Sequence, residues 1–315
     1  MPSSAVRTFT DPDDYGAAQR GVKSELTLIG RGHFNAKLIG IALHRLGLQR
    51  SSDNLPRTAH SVNWKGLAII TFRTHPGPSL VRSGVEMEPT NIFRHGEDQA
   101  YYQRSSGSAS FGALSLAVED VAAIGEAMGG IDLTPPRDAM LVTPPPSAMA
   151  KLQRLHAAAG QLAEDAPAVI AHPEAARGLE QALIEAMIGC LADGEGREDS
   201  LAQRHHELIM RRFRRVVEEH PEEPLYIPEI CKAIRVSQRT LLACCQEHLG
   251  MAPKRYLLRR RMHLARGALR EAGRDAPTVT DVATRYGFWQ LGRFAVEYQS
   301  LFGESPSATL RRQSE

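Results

Sequence analysis

Residues 287–306 read GFWQLGRFAVEYQSLFGESP, and this stretch has a counterpart 53 residues earlier, at 234–253. Both copies carry apolar residues, a glycine, a proline and a leucine at matching positions. The first copy has Leu241, Leu249, Gly250, Pro253 and Leu257, and the second has Phe294, Phe302, Gly303, Pro306 and Leu310. Upstream, Ile227 matches Val279 and Ile230 matches Val282 at an offset of 52, so the second copy holds one extra residue near Trp289. A repeat of this kind indicates a repeated supersecondary unit.

Each copy is typical of a short helix, a tight turn and a longer amphipathic helix that ends at glycine, which is the helix-turn-helix layout. Ser237 and the Thr278/Asp281 pair are suited to cap helix N-termini, and Gly250 and Gly303 are suited to follow helix C-termini. The predicted helices are Pro228–Ile234 and Gln238–Leu249 in the first unit, and Val279–Tyr286 and Gln290–Phe302 in the second. The predicted core of these units is Ile230, Ile234, Leu241, Cys245, Leu249, Val282, Phe294, Tyr298 and Phe302.

A continuous helix is predicted between the two copies, over Pro253–Ala272, with six arginines among its polar residues. At 1.5 Å per residue it would be about 30 Å long, close to the roughly 34 Å of one DNA turn. The spacing therefore predicts that both second helices reach successive major grooves on one face of a duplex.

Residues 204–312 resemble the AraC-type DNA-binding domain. The residues that carry the resemblance are Gly287, Phe288, Phe294, Phe302, Gly303, Pro306 and Arg311. Within that family, residues 287–294 and 304–307 are similar to the branch that contains the ethanolamine-utilisation regulator. The resemblance implies promoter binding, transcription activation through contacts with RNA polymerase, and an N-terminal cupin-like domain that senses a small molecule or mediates dimerisation.

The first turns of the second helices are the expected readers of base edges, where Arg pairs with guanine and Gln with adenine. Gln238 and Arg239 are the strongest candidates, whereas the family's later base-contacting positions fall on Leu242 and Ala243, which reach at most a thymine methyl group. A solvated surface arginine is the alternative interpretation of Arg239 and Arg293, and it weighs more heavily for the phosphate contacts proposed at Arg259 and Arg260. The full predicted DNA-binding set is Ser237, Gln238, Arg239, Thr240, Leu242, Ala243, Gln290, Leu291, Arg293, Arg259 and Arg260.

Charge is divided unevenly along the chain. Residues 204–315 hold 20 Lys and Arg against 13 Asp and Glu, a net charge of +7 in a chain whose total is +2. A basic C-terminal part next to a mildly acidic remainder favours polyanion binding at one end only.

Between Glu25 and Leu116, short apolar runs separated by turn residues predict many short strands, in a barrel or a sandwich. The predicted fold class is multidomain α+β: a cupin-like β-barrel over 1–145 for effector binding or dimerisation, a helical hairpin and linker over 146–203, and an all-α DNA-binding domain over 204–315. The apolar stripes of the hairpin fit either the chain's own barrel or a second subunit. Residues 194–199 are predicted to be a flexible link.

Two further kinds of site were weighed in the N-terminal part. An effector pocket lined by Trp64, Phe72, Phe93, Tyr101, Tyr102 and Phe111 competes with the interpretation that these are ordinary core aromatics. The scattered histidines His33, His44, His60, His75 and His95 lack the HxH spacing of a cupin metal site, so no metal and no cofactor is predicted. The four cysteines are expected to be reduced, buried and inert.

No nucleophile elbow, phosphate loop or HExxH pattern occurs, which argues against an enzyme. Neither a secretory signal nor a membrane-spanning apolar run is visible, so a cytoplasmic location is expected. The predicted partners are double-stranded promoter DNA, RNA polymerase, a small-molecule effector and a second copy of the chain. The alternative is a ligand-independent regulator whose N-terminal domain only dimerises or binds a protein partner.

Overall fold

The N-terminal part of the chain is rich in strands, as predicted. The computed structural model describes residues 1–127, 133–192, 194–198, 201–271 and 277–311. The strands are β1 (Ser3–Phe9), β2 (Val22–Leu28), β3 (Ala36–Ala42), β4 (Gly47–Asp53), β5 (Arg57–Asn63), β6 (Leu67–Arg73), β7 (Leu80–Arg82), β8 (Val85–Glu86), β9 (Ile92–His95), β10 (Ala100–Ser105), β11 (Ala109–Ala117), β12 (Met140–Thr143) and β13 (Glu195–Glu198).

The strands form two sheets rather than the predicted closed barrel. The larger sheet has the order β1-β3-β4-β11-β6-β9-β12-β13, and the smaller has the order β2-β5-β10-β7-β8. Strand β5 pairs with β2 and β10 in the smaller sheet, whereas its chain neighbours β4 and β6 both pair with β11 in the larger one. Each sheet ends in strands that pair with a described strand on one side only, β1 and β13 in the larger sheet and β2 and β8 in the smaller. The described strands therefore form no closed barrel, and of the two predicted architectures the barrel was wrong. The mixed α/β class with a sheet-rich N-terminal part is what the structure supports.

Five helices accompany these sheets: α1 (Pro12–Ala18), α2 (Val118–Ala127), α3 (Pro146–Asp165), α4 (Pro167–Ala171) and α5 (Pro173–Ala192). Leu152 of α3 and Leu183 of α5 are fully buried in one core with Ile41, Leu48 and Phe72 of the larger sheet. The apolar stripes of the predicted hairpin are thus covered by the chain's own sheet, which is the first of the two alternatives weighed for them.

The segment predicted to be a flexible link is partly a strand. Residues 195–198 form β13, which pairs with β12 so that Gly196 stands opposite Val142. The small and charged residues of 194–199 indicated a flexible segment. The strand forms because β12, more than fifty residues earlier in the chain, pairs with it, and local composition does not show such a partner. Asp199 lies outside the described residues.

The C-terminal part is helical, and its predicted helix ends agree with the structure to within one residue wherever both ends are described. Ala272, the predicted end of the long helix, lies outside the described residues. The helices are α6 (Leu201–Glu219), α7 (Ile227–Ile234), α8 (Gln238–Leu249), α9 (Pro253–Glu271), α10 (Val279–Arg285), α11 (Leu291–Phe302) and α12 (Pro306–Arg311). None of the described helices has an apolar stretch long enough to cross a lipid bilayer.

The predicted helix-turn-helix core is confirmed, since every residue of that set is buried. These cores also take in residues of the N-terminal part. Phe9, Tyr15 and Phe34 share a core with Phe294 and Phe302 of the second unit. Tyr102 of β10 lies in the core of the first unit. The two parts of the chain are therefore packed together through apolar side chains as well as through polar contacts.

Candidate nucleic-acid interface

The first helix-turn-helix unit consists of α7, a three-residue turn and α8. Arg235 ends α7 in the left-handed conformation with φ 58°, and Ser237 then caps α8 by accepting a hydrogen bond from the Thr240 N–H at 3.0 Å. The left-handed residue reverses the chain within a few residues, and the cap satisfies a backbone donor that would otherwise lack a partner at the start of the helix. The predicted role of Ser237 as an N-cap is confirmed.

Helix α8 separates its buried and exposed faces cleanly. Leu241, Cys245 and Leu249 are buried at helical spacing, while Gln238 and Arg239 are exposed on the first turn. Ser237, Leu242 and Ala243 are exposed as well, and Thr240 is half-buried. The structure thus leaves the polar first turn of α8 accessible to a ligand as large as a duplex.

The second unit consists of α10, a turn and α11. Thr278 and Asp281 form the predicted capping box: the Thr278 Oγ1 accepts from the Asp281 N–H at 3.1 Å, and the Asp281 carboxylate accepts from the Thr278 N–H at 2.9 Å. Gly287, with φ 74°, supplies the left-handed residue of this turn. The two units are therefore built alike, although different residue types occupy their turns.

Gln290, Leu291 and Arg293 are all exposed at the start of α11. The Arg293 Nε donates to the Glu297 Oε1 at 2.8 Å one helical turn away, an exposed pair that binding to a phosphate would have to open. Trp289 precedes them with 82% of its surface exposed. It was not among the predicted contacts, although the one-residue insertion in the repeat occurs beside it.

Helix α9 joins the two units. Its 19 residues span about 28 Å at the standard rise, in agreement with the predicted length. Arg259 and Arg260 are only half-exposed, and burial, together with nearby Arg255 and Arg31, lowers the pKa of Arg259. These two predicted phosphate contacts therefore lie closer to the chain's own N-terminal part than the residues on α8 and α11 do.

Residues 230–312 match the family model described as "Helix-turn-helix domain". The chain is 37% identical over 103 residues to the "XylDLEGF operon transcriptional activator 1" of Pseudomonas putida, covering 32% of this chain and 31% of that protein. It is 41% identical over 95 residues to the "Probable thc operon regulatory protein" of Rhodococcus erythropolis, covering 30% and 29%. Residues 230–312 therefore form a helix-turn-helix domain. Residues 204–312 resemble the AraC-type DNA-binding domain, and the name "AraC-type domain" is used below for this part of the chain because of that resemblance. The chain spans about a third of the length of these curated relatives.

Among solved structures, the chain is similar to the "AraC-like transcriptional activator CuxR", with 15% identity, 84% of this chain and 95% of that chain covered, and a TM-score of 0.44. By their names, these proteins are transcriptional activators or operon regulators. Residues 230–312, which the family model matches, contain all the predicted DNA-binding residues.

The AraC-type domain is tied to the N-terminal part by a cluster of charged side chains on α1, α9 and the residue Glu304. Arg266 forms an ion pair with Asp11 and lies 3.6 Å from the Asp13 and Glu304 carboxylates. Arg270 contacts Asp11 at 2.8 Å and Asp14 at 3.0 Å. Arg266 and Asp11 are 6% and 12% exposed and form the buried centre of this ion cluster, whereas Asp13 and Asp14 are 43% and 56% exposed at its edge. The two members of the buried pair depend on each other for charge compensation.

The carboxyl groups of the ion cluster differ in their pKa. Burial alone would raise the pKa of Asp11, but the hydrogen bond and charge of Arg266 hold it below its usual value. Burial and the neighbouring Asp11 carboxylate raise the pKa of Asp13 to about 6. The cluster thus contains one carboxyl group that titrates only slightly below neutral pH.

Backbone contacts reinforce this attachment of the AraC-type domain. The Leu28 N–H donates to the His263 Nε2 at 2.9 Å, and burial lowers the pKa of His263 to about 3, so its ring is neutral at pH 7. The Arg104 Nε donates to the Glu247 carbonyl at 3.2 Å. The long helix α9 and the end of α8 are therefore both held by strands of the smaller sheet.

The predicted aromatic pocket is not assembled. Trp64 is 52% exposed and Tyr102 is buried in the core of the first helix-turn-helix unit. Only Tyr101 and Phe111 of the predicted set line the cavity between the sheets, together with Arg57, Arg82 and other polar residues. That cavity has about 20 Å³, enough for one water molecule. Phe72, Phe93 and Phe111 are buried, which agrees with the alternative interpretation that these are ordinary core aromatics. The direction of each side chain depends on strand register, which the sequence did not specify.

The cysteines are free and buried, as expected. Burial raises the pKa of Cys190 and of Cys244 to about 11, and it raises the pKa of Cys245 as well. Thiols with raised pKa values are poor nucleophiles, which supports a packing role for these side chains.

Proposed function

We propose that the chain is a transcription regulator that binds promoter DNA through both helix-turn-helix units. The observation that carries this proposal is the pair of exposed first turns on α8 and α11, joined by one continuous helix of about 28 Å. Gln238 and Arg239 are the proposed base readers of the first unit. Gln290 and Arg293 serve the second unit, with a larger share of phosphate contacts.

The proposal is tested by selecting genomic DNA fragments with the purified full chain at several salt concentrations. We expect a shared motif with two elements about one helical turn apart, and an affinity that falls as salt increases. Binding that depends on salt but selects no motif would contradict sequence-specific regulation and would indicate a non-specific DNA binder.

We further propose that a small-molecule effector binds where the N-terminal part faces α9, rather than between the sheets. A cleft of about 1140 Å³ opens there, whereas the cavity between the sheets holds about 20 Å³. Both carboxylates and arginines line the cleft, which favours an effector with ionisable groups. Its charged lining residues include Asp13, Asp14, Glu25, Arg260, Arg270 and Arg285.

Thermal unfolding of the full chain with a panel of charged metabolites tests the effector, because a ligand that binds only the folded state raises the melting temperature. A rise that is lost in Arg260→Ala and kept in Arg154→Ala, an exposed residue of α3, would support this cleft. No rise with any metabolite would favour the alternative, a ligand-independent regulator whose N-terminal domain only dimerises or binds a protein partner.

Several finer assignments rest on the resemblance and stay predictions. These are the cupin-like character of the N-terminal domain, the domain boundaries near 145 and 204, the branch containing the ethanolamine-utilisation regulator, the contact with RNA polymerase and the cytoplasmic location. The homodimer also stays a prediction. The apolar stripes that suggested it are covered by the chain's own sheet and so do not support it. Light scattering on the full chain measures its oligomeric state directly.

A further inference from the structure

Two histidines and one glutamate meet where the AraC-type domain faces the smaller sheet. His206 lies on α6, and Glu247 and His248 lie on the last turn of α8. One donor atom from each of the three side chains lies within 4.8 Å of the other two. The His206 Nδ1 is 2.5 Å from the Glu247 Oε2, and the His248 Nε2 is 4.0 Å from the Glu247 Oε1.

His206, Glu247 and His248 are called the triad below. Within it, His248 carries a buried nitrogen atom that no hydrogen bond from the described residues satisfies. Its side chain is 1% exposed, and its Nε2 is buried without a hydrogen-bond partner among the described residues. Leaving a buried polar nitrogen without a partner is unfavourable, and this nitrogen faces the triad.

We propose that His206, Glu247 and His248 bind one divalent transition metal ion of the Zn²⁺ type. Two imidazole nitrogens and one carboxylate form a donor set that such ions prefer over Mg²⁺ or Ca²⁺, which take oxygen ligands. Ligand atoms around a tetrahedral ion with bonds of about 2.1 Å lie about 3.4 Å apart. The two observed distances, 2.5 and 4.0 Å, lie on either side of that value and within about 1 Å of it.

The surroundings are compatible with a bound cation. His206 and Glu247 are 28% and 30% exposed, which leaves an entry path and room for water as a fourth ligand. Arg104 is the positive group close by, and its Nε is directed at the Glu247 carbonyl rather than at the carboxylate. Gly84, in the turn between β7 and β8, lies against the Glu247 side chain, where a Cβ atom would clash. The ion would join α6 to α8 directly beside the smaller sheet.

The test uses the full chain after treatment with a chelator, with Zn²⁺ binding measured by equilibrium dialysis and elemental analysis. Co²⁺ serves as a spectroscopic probe, since its visible absorption reports tetrahedral nitrogen and oxygen ligation. We expect one Zn²⁺ per chain, no binding of Mg²⁺ at the same concentration, and at least a tenfold loss of affinity in His206→Ala, Glu247→Gln and His248→Gln. His205→Ala is the matched control, because His205 is exposed on the same helix and lies outside the triad.

The proposal is overturned if the wild-type chain binds no stoichiometric Zn²⁺, or if the three variants bind it as tightly as His205→Ala does. Should the buried His248→Gln variant fail to fold by circular dichroism, the partly exposed His206→Ala variant decides. No measurement here involves DNA, so the metal site and the proposed DNA binding succeed or fail separately.

Discussion

Arg239 and Arg266 show two opposite uses of the same side chain. Arg239 is exposed on the first turn of α8, where its planar pair of donors can meet the O6 and N7 of guanine. Arg266 is 6% exposed and is surrounded by carboxylates of α1 and by Glu304. Arg239 is thus free to bind a partner outside the chain, whereas Arg266 stabilises the folded chain itself.

Arg239→Ala is expected to weaken binding to the selected DNA motif by about 1–3 kcal/mol and to relax preference at one base pair, since a bidentate base contact is lost. Arg259→Ala is expected to weaken binding to all sequences alike and to reduce the salt slope by about one unit. Fluorescence anisotropy with single-base variants of the motif measures both effects. Arg154→Ala, distant on α3, is the control, and equal sequence-blind losses at Arg239 and Arg259 would refute base reading by Arg239.

Asp13 predicts a dependence of stability on pH. Its pKa is about 6 in the folded chain against an ordinary value of 3.8, so the folded state holds more protons in this window and stability falls as pH rises from about 4 to 6. Asp13→Asn is expected to raise the free energy of unfolding at pH 7 and to flatten that fall. The gain should be only about 1 kcal/mol, because solvent screens a partly exposed side chain.

Urea unfolding of the Asp13→Asn variant between pH 4 and pH 7.5 provides the measurement. Asp165→Asn, an exposed position at the end of α3, should reproduce the wild-type profile. An Asp13→Asn profile as steep as that of the wild type would show that another group titrates in this window.

At the scale of single elements, the helix ends are the best-defined features of the C-terminal part. Gly303 ends α11 with φ 75°, and a Cβ atom there would also lie 2.8 Å from the His33 Nδ1. Gly303→Ala is therefore expected to lower the free energy of unfolding by about 1–2 kcal/mol, because a left-handed conformation is costly for a residue with a side chain.

Gly178, inside α5, is the matched control for this glycine. A Cβ atom at Gly178 would meet no atom within 4 Å, so Gly178→Ala should stabilise the chain by up to about 1 kcal/mol through higher helix propensity. Chemical denaturation of both variants gives the comparison. A neutral Gly303→Ala variant would mean that α11 ends differently in solution.

Features that depend on neighbouring residues could be predicted from the sequence, whereas features that depend on distant parts of the chain could not. The caps at Ser237 and Thr278 and the glycines 250 and 303 act within one helical turn, so helix ends and the buried face were predictable. The closure of the sheets and the pairing of residues 195–198 depend on partners far away in the chain, which local patterns do not specify. The triad was missed for the same reason, since His206 and Glu247 are brought together only by the packing of α6 on α8.

At the scale of the whole molecule, the ion cluster joins the N-terminal part to the AraC-type domain through several ion pairs. Arg266→Met would remove the ion pair with Asp11 and leave Arg270 in contact with the Asp11 and Asp13 carboxylates. Removing one partner of a buried ion pair typically costs about 3–5 kcal/mol. We expect a loss of this size in urea unfolding and a larger radius of gyration by X-ray scattering, because the two parts separate more readily.

Arg255→Met is the control for this variant, since Arg255 lies on the same helix but is exposed. It should keep both the stability and the dimensions of the wild-type chain. If Arg266→Met unfolds at the wild-type urea concentration, the attachment of the two parts rests on the shared apolar cores instead.

Helix α9 has a consequence for the promoters that the proposed regulator would accept. Each base pair inserted between two binding elements rotates one element against the other by about 34°, because a DNA turn holds 10–10.5 base pairs. A helix held by His263, Arg266 and Arg270 cannot twist to follow such a rotation. The affinity of the full chain for DNA with altered spacers thus reports how firmly the N-terminal part holds α9. Only the DNA has to be changed for this comparison.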